Sequence, residues 1–141
     1  MSNPLSQRSK VNLNCSRRAE DPAVVLVVED EFLIRLAIAE ELRIAGYRVV
    51  ECRSADEALD LLHSGLSVDV IFTDVRMPGV FDGLDLARSV RDEFPAMHVF
   101  VTSTQQPGVE ICAPFIPKPY DTSRVIQLIG NHLGTSNTSI R

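Results

Sequence analysis

From Ala23 onward, short apolar runs alternate with longer segments of helical period. Val24–Val28 (VVLVV) is β-branched and lacks polar alternation, as expected of a strand covered on both faces of a parallel sheet. Ile34, Ile38, Leu42 and Ala45 then recur on one helical face, while Arg35, Glu40, Glu41 and Arg43 point elsewhere. Gly46 stands where a left-handed cap ends a helix. Arg48–Cys52 reads as a second, less apolar strand suited to an edge. Ser54 with Glu57 forms a capping-box pattern ahead of a stripe of Ala55, Ala58, Leu59 and Leu62, closed by Gly65. Val68–Thr73 is a third strand, and Asp82 to Phe94 a third helix stopped by Pro95. His98–Thr102 is a fourth strand and Phe115-Ile116 a short fifth. Asp121 caps a last helix whose Val125, Leu128, Ile129 and Leu133 face the core and which Gly134 ends.

Strands separated by helices imply right-handed crossovers and a doubly wound parallel α/β sheet. The stretch 103–114 breaks the pattern, because it holds Pro107-Gly108 and Pro114 and has no apolar period. It predicts a shortened or irregular fourth helix. Residues 22–134 form the domain, preceded by a flexible leader (1–21) and followed by a polar tail (135–141).

Composition narrows the function. With 45 % apolar and 23 % charged residues in 141, the chain is an ordinary globular one, and its longest apolar run falls short of a membrane span. The formal charge is −5. Arg8, Lys10, Arg17 and Arg18 against Glu20 and Asp21 make the leader basic by two charges, so residues 22–141 carry −7. An acidic body without a basic stripe disfavours nucleic acid. Arg17-Arg18 resembles a twin-arginine signal, but Ala19-Glu20-Asp21-Pro22 follows where an apolar region should begin. Cys15, Cys52 and Cys112 are odd in number and share no C-x-x-C spacing, which points to reduced thiols in a cytoplasm.

In an open parallel sheet, ligands bind beyond the carboxyl ends of the strands. Those ends carry Glu29, Asp30 and Glu31 after the first strand, Asp74 after the third, Thr102 on the fourth and Lys118 after the fifth. Clustered carboxylates must take up a proton or bind a cation. Oxygen ligands without Cys or His favour Mg²⁺, with Mn²⁺ as the alternative. Lys118 is the only Lys in residues 22–141, against nine Arg, and lies between prolines in Pro117-Lys118-Pro119-Tyr120. Lys118–Pro119 is a candidate cis bond. A cation site, an acceptor carboxylate, a hydroxyl and an ammonium on one rim are the parts for moving a phosphoryl group onto Asp74.

Val24–Asp30 (VVLVVED), Ile71–Gly79 (IFTDVRMPG), Val99–Ser103 (VFVTS) and Phe115–Tyr120 (FIPKPY), in that order, resemble the receiver domain of two-component response regulators. The resemblance spans residues 23–133. It implies a flavodoxin-like fold with strand order 2-1-3-4-5. It also implies that Asp74 is the phosphoacceptor. Asp30, Asp74 and the main-chain carbonyl of Arg76 would ligate Mg²⁺, with Glu29 acting through metal-bound water. Thr102 would be the switch hydroxyl, Lys118 the partner of the acceptor or its phosphate, and Phe115 the aromatic switch residue, a position that a plain core role also explains. Arg76 and Thr104 occupy positions that tune phosphoryl lifetime. Glu31, Phe32 and Arg35 lie on the surface that such domains present to a histidine-bearing partner.

Two departures stand out. The stretch between Pro78 and Gly83 is one residue longer than the common pattern, and Thr102 to Lys118 is shorter than usual. The second alters the region through which such domains signal. The expected function is a single-domain, cytoplasmic response regulator, phosphorylated by a sensor histidine kinase or a histidine phosphotransfer protein. Output would pass through an unknown target protein, since 134–141 is too short for a DNA-binding domain. The chemistry is self-catalysed phosphorylation and dephosphorylation, not enzymatic turnover. Two other readings stay open: a pseudo-receiver scaffold without phosphorylation, and an Asp-nucleophile phosphohydrolase. The latter family resembles haloacid dehalogenases, whose second Asp lies two residues after the first, where this chain has Glu29-Asp30-Glu31.

Overall fold

The computed structural model describes residues 21–77, 79–105 and 113–134. The expectations for the leader, the polar tail and the middle of the 103–114 connection lie outside the described residues. In chain order the elements are β1 (Val24–Val28), α1 (Phe32–Ile44), β2 (Arg48–Cys52), α2 (Ala55–His63), β3 (Val70–Asp74), α3 (Gly83–Glu93), β4 (His98–Ser103), β5 (Phe115–Pro117) and α4 (Thr122–Leu133). The strands form one parallel sheet in the order β2-β1-β3-β4-β5. This is the doubly wound, flavodoxin-like arrangement that the sequence predicts.

Alternation along β1 divides the core between the two sheet faces. Leu26 and Val28, with Ile71, pack against Ala58 and Leu62 of α2 and Leu86 and Val90 of α3. Val25 and Val27, with Phe72 and Phe100, pack against Ile38 and Leu42 of α1 and Val125 and Ile129 of α4. Every residue of β1 and β3 is buried, which explains the unbroken apolar run of β1 and the apolar start of β3 at Val70–Phe72. Among the described residues no helix is long and apolar enough to cross a membrane.

The helix starts follow local chemistry. Ser54 Oγ accepts from the Glu57 amide at 3.1 Å, while the Glu57 carboxylate reaches back to the Arg53 amide at 2.8 Å, one residue before the expected reciprocal bond. Asp82 and Asp85 form the reciprocal capping box instead: Asp82 Oδ1 accepts from the amides of Leu84 and Asp85, and Asp85 Oδ2 accepts from the Asp82 amide, all at 3.0 Å. Asp121 caps α4 through the Ser123 amide, and Gly134 closes it at φ 71°.

One face differs from expectation. On α1 the buried residues are Arg35, Ile38, Ala39 and Leu42, and Ala45 is exposed at the C-cap. The inward stripe therefore runs i, i+3, i+4, i+7 from Arg35, not from Ile34. The Arg35 side chain can face inward because buried acceptors receive its guanidinium, as described below. The third strand also starts and ends later than the apolar run suggests, so Asp74 is its last residue and not the first residue of a loop.

Candidate phosphoacceptor site

Parallel strands deliver their carboxyl ends to one rim, and the acidic residues meet there. Glu29 and Asp30 follow β1, and Asp74 ends β3. One carboxylate oxygen of each lies within 4.8 Å of the others. Glu29 and Asp74 are 3 % and 7 % exposed, whereas Asp30 faces solvent. At that separation a pair of full charges repels by about 3.5 kcal/mol at an effective dielectric of 20.

Lys118, the second residue past Ile116 in β5, partly offsets this repulsion. Its Nζ donates to Glu29 Oε1 at 3.0 Å and lies 3.4 Å from Asp74 Oδ2. The ammonium thus bridges both buried acids and sits nearer Glu29 than the expected acceptor. The Lys118 amide donates to the Ser103 carbonyl at 2.8 Å, and the Lys118–Pro119 bond is cis as anticipated.

Burial raises the Glu29 carboxyl above its ordinary value against the pull of the Glu31 amide and Lys118, and the charge of Asp74 adds to the rise. Burial likewise lifts Asp74, opposed by Lys118 and by the Arg76 amide and reinforced by Asp30. For Lys118 burial alone would lower the pKa, but the hydrogen bond to Glu29 and the charges of Asp74 and Glu29 outweigh it, and the ammonium is held above its usual value. These acids remain unfavourably charged after pairing with Lys118. An additional cation would relieve them, and three oxygen donors without imidazole or thiolate suit a hard divalent ion such as Mg²⁺.

The other predicted residues fall around this cluster. Thr102 pairs in register with Asp74, is 1 % exposed, and its Oγ1 has no hydrogen-bond partner among the described residues. A buried hydroxyl left without a partner is costly, so an acceptor reaching it would be favoured. The exposed Arg76 donates from Nη2 to Gln105 Oε1 at 2.6 Å, linking the loops after β3 and β4, while Thr104 faces solvent. Phe115 is half-buried beside Val101 and packs into a separate edge cluster with Val75 and Ala87. Phe32 is exposed, but Arg35 is only 8 % exposed, so the open surface at the start of α1 belongs to Phe32, Leu33 and Glu31. A groove of about 510 Å³ runs beside it, lined by Leu33, Ile34, Ala37, Lys118, Pro119 and Tyr120 among others. Burial and the two nearby acids push the Tyr120 hydroxyl up to about 12.

Two residues that support the site were not anticipated. Gly83 opens α3 directly under the end of β3: its amide donates to the Val75 carbonyl at 3.0 Å, and a Cβ there would clash with the Asp74 carbonyl. The available signal is a glycine at the first helical position behind an Asp cap, where another residue would serve the helix better. Arg35 donates from Nη1 to the Glu29 carbonyl at 2.9 Å and from Nε to Glu51 at 3.2 Å. Its signal was its spacing from Ile38, Ala39 and Leu42.

Comparison with known proteins identifies the family. The chain is 30 % identical over 122 residues to the Polar-differentiation response regulator DivK of Brucella anthropi, covering 80 % of this chain and 98 % of DivK. It is 33 % identical over 111 residues to the Sensor kinase CckA of Brucella abortus, but spans only 12 % of that protein's length, and it spans 24 % of the DNA-binding transcriptional regulator NtrC of Klebsiella pneumoniae. Among solved structures, a response regulator receiver protein from Sinorhizobium medicae superposes with a TM-score of 0.74 at 26 % identity, covering 82 % of this chain and 97 % of that one. The receiver domain of the hybrid histidine kinase CckA gives a TM-score of 0.69 at 31 % identity, covering 79 % and 99 %. Residues 25–129 match the family described as "Response regulator receiver domain", and with its sheet order and acidic rim the chain belongs to that family.

Proposed function

We propose that this protein is a phosphorylation-controlled signalling switch in which Asp74 accepts a phosphoryl group from a phosphohistidine. The observation that carries the reading is the convergence of Glu29, Asp30 and Asp74 within 4.8 Å, with Lys118 bridging the two buried acids. An Asp74 oxygen forms a bond to phosphorus as the phosphorus–nitrogen bond to the donor imidazole breaks, and that nitrogen leaves with the bonding electron pair. Asp30, Asp74, the main-chain carbonyl of Arg76 and, through water, Glu29 would hold Mg²⁺. When bound, the ion supplies positive charge against the carboxylates and the phosphoryl oxygens.

The chain's own residues do the rest. Lys118 stands within 3.4 Å of the acceptor and can transfer its contact to a phosphoryl oxygen. The Thr102 hydroxyl, without a partner among the described residues, gains an acceptor when the phosphoryl group arrives, which favours the phosphorylated arrangement of β4. Phe115 packs against Val101, the neighbour of Thr102, and in this reading its ring responds to that movement. Apolar side chains beside Lys118, at the groove against α1, give a histidine kinase or a histidine phosphotransfer protein a surface to seat its histidine near Asp74. Output then passes through contact with another protein, in the cytoplasm, with no DNA or membrane ligand.

The test is intact-mass measurement after incubation with acetyl phosphate or phosphoramidate, with and without Mg²⁺. One added phosphoryl group, dependent on Mg²⁺ and absent in Asp74→Asn, is expected. No adduct on folded wild-type protein would indicate a scaffold without phosphorylation. Steady hydrolysis of an unrelated phosphomonoester, lost in Asp30→Asn, would indicate a phosphohydrolase.

A further inference from the structure

We infer that Arg35 is a positioning residue for the acidic rim: it clamps the peptide that presents Glu29 and Asp30, and so sets the affinity of the carboxylates for a divalent cation. This rests on the magnesium reading above.

A guanidinium is rarely buried unless its donors are matched. Arg35 is 8 % exposed, and its fork joins two different elements. Nη1 donates to the Glu29 carbonyl at 2.9 Å, and Nε pairs with Glu51 Oε1 of β2 at 3.2 Å. The other Glu51 oxygen accepts from Arg43 Nη2 at 3.0 Å, and Arg43 Nη1 also pairs with Glu40 at 3.0 Å. Arg35 is thus held in place by a charge network spanning α1 and β2. The Phe32 ring covers it, 5.5 Å from the guanidinium carbon.

The consequence falls on residue 29. Its amide donates to the Cys52 carbonyl at 3.0 Å, and its carbonyl receives Arg35. Its carboxylate accepts from the Glu31 amide at 3.1 Å. The peptide units on both sides of Glu29 and its side chain are therefore held before any cation arrives. Three acids that repel would separate if the backbone between β1 and α1 could yield, and separation would weaken their joint grip on an ion. Arg35 prevents that without touching the carboxylates itself. A lysine in its place has the charge but not the planar fork that serves two acceptors at fixed angles.

The experiment is calorimetric titration with Mg²⁺ alone, with no phosphoryl donor, at a temperature where all variants are folded. Arg35→Met is expected to raise the Mg²⁺ dissociation constant roughly tenfold, the lower end for lost outer-shell support of a metal site. Arg35→Lys should recover part of that loss. Glu51→Gln should raise the constant by a smaller factor, and combined with Arg35→Met it should add nothing, because both act through one network. A purely structural arginine would lower the melting temperature and leave the constant unchanged; that result in folded Arg35→Met overturns the inference. Should Arg35→Met fail to fold, an unchanged constant in Glu51→Gln overturns it equally. Wild-type protein that binds no Mg²⁺ would instead remove the magnesium reading itself.

Discussion

Gly83→Ala puts the packing beneath Asp74, the proposed acceptor, to a sharp test, because helix propensity and sterics predict opposite signs. Alanine is the better helix former by up to about 1 kcal/mol, so propensity alone predicts a gain in stability. Gly83 has a negative φ and needs no left-handed freedom. Its constraint is contact: a Cβ at that position would stand 2.9 Å from the Val75 Cα and closer still to the Asp74 carbonyl oxygen. Those atoms are backbone at the buried end of β3, and neither can rotate away. Relief requires α3 to move off the sheet, which loosens Leu86, Ala87 and Val90, all buried on its inner face. Overpacking of this kind costs roughly 1–3 kcal/mol, and subtracting the helix gain leaves a net loss of about 2 kcal/mol at the upper end. For a domain of this size that lowers the melting temperature by roughly 5–10 °C. Urea denaturation of wild type, Gly83→Ala and Gly83→Ser should rank them in that order of falling stability, and the substitutions should slow Asp74 phosphorylation because its carbonyl is displaced. Gly83→Ala as stable as wild type, with an unchanged phosphorylation rate, would refute the close-approach argument.

Other consequences follow from the charges and the orphaned hydroxyl. Lys118→Met leaves Glu29 buried beside Asp74 without its ammonium and should cost about 3 kcal/mol near neutral pH in urea denaturation, a loss that shrinks in acid as the carboxyls protonate. Thr102→Val removes a buried hydroxyl that has no partner among the described residues, so the unphosphorylated protein should be unchanged or up to about 1 kcal/mol more stable, while phosphorylation should lose its conformational signature in NMR spectra. Asp74 has a folded pKa above its ordinary 3.8, so the native state retains a proton that the unfolded chain releases. Metal-free wild type should therefore lose stability relative to Asp74→Asn as pH rises from that value through the raised folded one, and a difference that instead grows in favour of wild type would contradict the burial argument.

Much of the fold was legible because β1 and the first three residues of β3 are apolar throughout. VVLVV and VIFTD are buried on both faces, and a sheet covered on both sides needs such runs. Caps at Ser54 and Asp121 then set where two helices begin, since each supplies an oxygen to free amides; the reciprocal cap of Asp82 and Asp85 emerged only in the structure. The meeting of Glu29, Asp30, Asp74 and Lys118 was legible through topology, because parallel strands carry their ends to one rim. What escaped was support that depends on three-dimensional neighbours. Arg35 reads as an outward-facing cation until a buried Glu29 carbonyl and Glu51 are known to receive it. Gly83 falls within the third predicted helix with no special role until the Asp74 backbone is seen pressed against it. Ala45 fits a helical stripe by spacing alone, yet α1 has run out by that point and the residue faces solvent.

The central claim is that Asp74 is the residue that becomes phosphorylated. Borohydride reduces an aspartyl phosphate to homoserine, which peptide sequencing by mass spectrometry then locates. After phosphotransfer in the presence of Mg²⁺, homoserine should appear at position 74 and nowhere else. Homoserine at position 30, or none in protein shown to be folded, would contradict the account.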